Sequence, residues 1–132
     1  MSERYEIEKK WAREKYKVMM HSQKHYNLIR EVLKKDVDME ELTNLIEEAY
    51  EVKPTKGSME NAYNHIWGYF KKICTEKERE ASKQMKAGFM NDELNREELL
   101  KFISHLADKY KVEYLQNSSI LHSNHRQNKM NG

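Results

Sequence analysis

A chain with one proline and four glycines among 132 residues has little with which to break a helix. Proline lacks the donor a helix interior needs, and glycine costs about 1 kcal/mol against alanine there, so helices run until capping chemistry stops them. Charged residues, mostly glutamate and lysine, make up 35% of the chain and lose little rotamer freedom in a helix. The expected class is all-α, a single bundle of about five helices without a sheet. A chain of this length buries about two thirds of its unfolded surface in one core.

Apolar spacing places the elements. Trp11, Ala12, Tyr16, Met19, Met20, Tyr26, Ile29 and Leu33 recur at steps of three and four and predict one helix over 3–34. Asp38 and Glu41 have the spacing of a capping box, ahead of a stripe of Leu42, Leu45, Ile46 and Ala49. Pro54 and Gly57 mark a loop, and a third helix is expected from about Ser58 to Ile73, with Met59, Ala62, Tyr63, Ile66, Phe70 and Ile73 on its core face. Thr75 with Glu78 and Asn95 with Glu98 repeat the capping spacing for two more helices. The fourth is expected to stop near Gly88 in a left-handed turn, and the fifth to bury Leu99, Phe102, Ile103, Leu106 and Tyr110. The domain is expected over residues 1–115, and residues 116–132, rich in Asn, Ser, His and Gln, read as a flexible polar tail.

Net charge is only +2, but it is unevenly spread. Residues 1–34 hold nine basic against five acidic side chains, residues 35–52 one against seven, and residues 53–73 four against one. A basic surface built from the first, third and last segments, with the acidic helix turned away, is the functional expectation; mixed solvated faces are the plainer one.

Two polar stripes do not belong to the core pattern. In "ENAYNHIWGYFKK" (60–72), Asn61, His65, Gly68 and Lys72 run at steps of four, three and four, next to Trp67, Tyr69 and Lys71. A glycine mid-helix offers close backbone approach, either to a crossing helix above His65 or to a phosphate and sugar. On the first helix Arg13, Lys17, His21 and Lys24 form a similar row beside Tyr16, Ser22 and Gln23. Lysines neutralise phosphates and aromatic rings stack on exposed bases, so the pair of rows suits a nucleic-acid surface. His21, His65 and His105 fall on three different helices, where a metal is conceivable, but no E-x-x-H or H-E-x-x-H pattern accompanies them. Cys74 is single, reading as a small buried hydrophobe without a redox partner. No catalytic residue, metal or cofactor is expected, nor a membrane span or signal peptide; a cytoplasmic location is the default expectation.

The two stripes carry a resemblance. Lys15, Tyr16, Lys17, Met19, His21, Ser22, Gln23 and Tyr26 follow the first motif of the YbgA-like family, a bacterial helical domain of unknown function. Asn61, His65, Gly68, Tyr69 and Phe70 follow its second, N-x-x-x-H-x-x-G-Y-F. His105 matches a histidine of its last long helix, and Lys86 with Gly88 a basic-x-Gly after the fourth. The resemblance covers about residues 8–115. It departs at Met20, Ile29 and Arg30, and the family's closing Gln-aromatic-Pro segment is absent from "YLQNSSILHSNH".

Members resembling this chain are fused to, or work beside, a cysteine-rich desulfidase that removes sulfur from thiolated uracil; others stand alone, some encoded near a DNA photolyase. The resemblance implies an accessory module that holds tRNA or another RNA for a separate desulfidase protein, since the desulfidase cysteines are missing here. The expected contacts are Lys17, Lys24, Lys71 and Lys72 to phosphates, His21, Asn61 and His65 to sugar or base, Gly68 for close approach, and Tyr16 or Trp67 for stacking, with Ser22, Tyr69 and His105 as further members of the nucleic-acid-binding set. The alternative is a protein-interaction or stress-response adaptor that binds no nucleic acid.

Overall fold

Side-chain caps start five of the helices. Ser22, Asp38, Thr55, Thr75 and Asn95 each take extended backbone and accept a hydrogen bond from an N–H in the turn that follows. Each such cap contributes about 1 kcal/mol. In the computed structural model, which describes residues 3–122, these starts divide the chain into α1 (Glu3–His21), α2 (Gln23–Val32), α3 (Met39–Tyr50), α4 (Lys56–Trp67), α5 (Glu76–Met90), α6 (Arg96–Lys109) and the short α7 (Glu113–Gln116). A 3₁₀ turn, Ser119–Leu121, follows. The class is all-α with no strand among the described residues, but there are seven helices there rather than about five.

The differences have local causes. The expected helix over 3–34 breaks at Ser22, whose hydroxyl accepts the His25 N–H at 3.1 Å while its backbone extends to φ −160°. A serine offers the chain this alternative bond, and apolar spacing cannot see it. α4 begins two residues earlier than Ser58, because Ser58 completes a capping box with Thr55. It ends at Trp67, so Gly68 is not mid-helix: it is the C-terminal cap, right-handed at φ −54°. Residues 68–73 wind on in tighter i→i+3 turns, as in Phe70 N to Trp67 O at 2.9 Å and Ile73 N to Phe70 O at 3.1 Å. Three residues per turn instead of 3.6 rotate the register, which leaves Ile73 49% exposed rather than in the core.

Gly88 is likewise not a left-handed stop. It is buried inside α5, where an added Cβ would come 2.9 Å from Leu94 Cδ2, and the positive φ belongs to Asp92 at 63°. The glycine lets the start of the α5–α6 connection close onto the helix. The segment expected to fray from Gln116 packs as far as Leu121, with Ser118, Ser119 and Ile120 buried. The remainder of that expected tail lies outside the described residues.

Helix α1 is the shared wall of two apolar clusters. Tyr16, Met19 and Met20 face one, with Met59, Tyr63, Ile66 and Phe70 of the α4 region, Leu99, Ile103 and Leu106 of α6, and Leu115 and Ile120. Ile7 and Val18 face the other, with Ile29, Val37, Leu42, Ile46 and Ala49. Val18, Met19 and Met20 are therefore buried in succession, as happens when a helix is covered on most sides. Each such side chain, fully buried, contributes about 1.5–3 kcal/mol of transfer free energy. The acidic helix lies against the basic ones: α3 packs directly on α1 and α2, and Glu48 reaches His25 at 3.0 Å.

Candidate nucleic-acid interface

α1, α2 and α4 bring the two motif stripes side by side. The Tyr16 and Tyr69 hydroxyls share a hydrogen bond of 2.9 Å, and the Asn61 amide donates to Gln23 Oε1. Gln23 in turn donates to Asn27 at 2.9 Å. These pairings run antiparallel, with residue 16 against 69 and residue 23 against 61. They fix the α1–α2 joint against α4 from both ends of the second motif.

Several expected binding residues are engaged in this packing. Tyr16 is 7% exposed, and burial followed by the Tyr69 hydrogen bond pushes its hydroxyl pKa far up, so it stays protonated and lies below the surface. Lys17 sits over the Tyr50 ring, 4.5 Å from its centroid, on the α3 side of α1. His21 also turns to that side, bonding the Val52 carbonyl at 2.8 Å and packing on Tyr50. Because a carbonyl only accepts, Nδ1 carries the proton there. Desolvation is the largest influence lowering the His21 pKa, with Lys17 and Arg96 adding to it. Tyr50 donates to Glu14 at 2.5 Å, and its own pKa is raised, by burial first. Ser22 and Asn61 have the structural roles already described.

Other members face outward. Lys24, His65, Gly68, Lys71 and Lys72 are exposed, and Tyr69 is half-buried. Among the described residues no helix lies over Gly68: an added Cβ would meet the His65 carbonyl at 3.1 Å and no other element, so of the two alternatives the helix crossing is not seen there. His105 is exposed on α6 and joins neither motif through a hydrogen bond, ion pair or ring contact among the described residues. Those residues also hold no group of three His, Cys, Asp or Glu side chains able to grip a metal, so His21, His65 and His105 stay apart. Lys86 pairs inward with Asn64 at 3.0 Å, holding α5 to α4.

Sequence reasoning missed the aromatic centre of this face. Tyr114, from α7, stacks on Tyr69 with centroids 6.0 Å apart and planes 25° apart, and meets Tyr16 edge-on at 6.4 Å. Lys15 lies over both Tyr16 and Tyr114, at 5.3 and 5.2 Å. Lys15 is in the first motif but off the basic row, and Tyr114 stands in the stretch where helical periodicity fades. Beyond it, α1 and α3 border a groove of about 730 Å³, lined by Lys9, Lys10, Arg13, Thr43, Tyr114 and Asn117 among others. A second hollow, about 540 Å³, lies where α4 starts and α5 passes to α6, beside the Lys56–Asp92 ion pair.

One chain of groups has the order of a nucleophile relay: Ser22 Oγ to His25 Nδ1 at 2.8 Å, and His25 Nε2 to Glu48 at 3.0 Å. Its oxygen, however, already caps α2, and neither hollow is lined by any of the three residues. The arrangement does the work of a helix cap tied to α3. No helix among the described residues is long and apolar enough to cross a membrane.

A family model described as a protein of unknown function, DUF1722, matches residues 15–124. No curated protein and no solved structure matches.

Proposed function

The chain belongs to the DUF1722 family of proteins of unknown function, and from that premise we propose that it is a non-catalytic RNA-binding module, of YbgA-like type, that holds tRNA for a separate thiouridine desulfidase or a related modification or repair step. The observation that carries the reading is the face where the two motifs dock. There Lys15 rides over paired tyrosines, and the exposed Gly68 leads to His65, Lys71 and Lys72, all free of ion pairs among the described residues. Cations neutralise phosphates and rings stack on unpaired bases, and both are presented by rigid elements. In this reading Tyr16, Ser22 and Asn61 shape the face from below, while Lys24, His65, Lys71 and Lys72 meet the RNA.

The test is binding of the purified chain to bulk tRNA, thiolated and unthiolated, across a salt series. Affinity is expected to fall with a log–log slope of about −0.7 to −0.9 for each phosphate contact. The double variant Lys71→Glu, Lys72→Glu should bind more weakly with a shallower slope, and a preference for thiolated tRNA places the module in desulfuration. Absence of binding at low salt, or an unaltered double variant, overturns the assignment and favours the protein adaptor, whose apolar interface would respond little to salt.

A further inference from the structure

The α1–α3 groove shares Tyr114 with the aromatic cluster, yet neither sequence motif accounts for it. Its volume of about 730 Å³ is within the range of sites that enclose a nucleotide-sized ligand. Tyr114, 38% exposed, forms part of its wall and is held by the stack on Tyr69, which the Tyr16 hydroxyl fixes in turn. An aromatic ring immobilised in this way offers a base the face away from Tyr69 once the flexible Lys15 side chain, which lies over the ring at 5.2 Å, swings aside. Lys9, Lys10 and Arg13 also line the groove.

The carboxylates in the groove decide how much RNA it takes. Glu6 and Glu14 line it together with those three cations. Glu14 is occupied, accepting from Tyr50 and paired with Arg13 at 3.6 Å, whereas Glu6 is exposed. A run of phosphates would meet both carboxylates and be repelled. One phosphodiester beside Lys9 and Lys10 would not, and Glu6, Thr43 and Asn117 present acceptors and donors to a base edge. Bases in a duplex expose neither face, so the strand must be unpaired.

We propose that the α1–α3 groove is a subsite for one unpaired nucleotide of the bound RNA, its base against Tyr114 and its phosphate on Lys9 and Lys10. This rests on the RNA-binding reading above. The experiment compares two RNA hairpins, one blunt and one with a short single-stranded overhang, by fluorescence anisotropy with the full chain. The wild type should prefer the overhang. Tyr114→Ala should cut that preference about tenfold, in line with the loss of one base stack. Because Tyr114 also packs on Tyr69, the double variant Lys9→Gln, Lys10→Gln, at an exposed and a half-buried lysine, serves as the second test, and it should lower the preference without moving the thermal midpoint. Equal wild-type affinity for the two hairpins, or an overhang preference that survives both variants, overturns the subsite while the RNA reading stands. No binding to either hairpin overturns both.

Discussion

His21 shows how a residue chosen for its chemistry is also held by the fold. Its ring is half-buried between Tyr50 and the Val52 carbonyl, and desolvation, then Lys17 and Arg96, lower its pKa below the ordinary 6.5. With the folded pKa below the unfolded one, the unfolded chain binds more protons as pH falls through 6.5, so stability drops in that window and levels off below the folded pKa. His21→Asn keeps a donor near Val52 and removes the titration. Urea midpoints measured against pH should fall on the acid side in the wild type and be flatter in this variant. An identical acid slope in both would mean that other groups carry it. The periodic row Arg13, Lys17, His21, Lys24 was visible in the sequence, but not that α3 covers its middle. That depends on a helix arriving from elsewhere in the chain, and spacing within one helix holds no record of it.

At the scale of elements, Ser22 is the residue to test. Its hydroxyl caps α2 and its neighbour His25 ties the cap to Glu48 of α3. Ser22→Ala should cost about 1 kcal/mol in urea unfolding while tRNA affinity per folded molecule is kept. Lost affinity at full stability would instead put the hydroxyl on the RNA. The capped starts of α3, α5 and α6 were legible because Asp38, Thr75 and Asn95 stand three places before a glutamate. The break at Ser22 was not, since apolar residues continue in phase across it. The end of α4 was hidden for the converse reason: Gly68 is followed by Tyr69 and Phe70, which extend the apolar pattern while the backbone tightens beneath them. The motif residues themselves were legible, and the structure adds that the two stretches touch. Tyr114 had to wait for α7, four residues long and too short to leave a period.

In the whole molecule, two apolar clusters lean on one helix, and each has its own tryptophan. Trp67 packs against the α4–α6 cluster and Trp11 against the α2–α3 cluster. Because Val18 and Met19 of the same α1 turn serve both, neither cluster has a complete wall without the other. Trp11→Phe and Trp67→Phe, each leaving one reporter, should therefore unfold in urea with coincident fluorescence and circular-dichroism transitions within each variant. Separated transitions would show that the clusters melt independently. The sharing of α1 also sets an order on the ribosome. Leu115 and Ile120, which help to bury its Tyr16 and Met19 face, emerge some hundred positions after that face. A nascent chain must carry its central helix half-covered through that whole interval, and a transcript cut short before Leu115 yields a protein whose middle is still open to water.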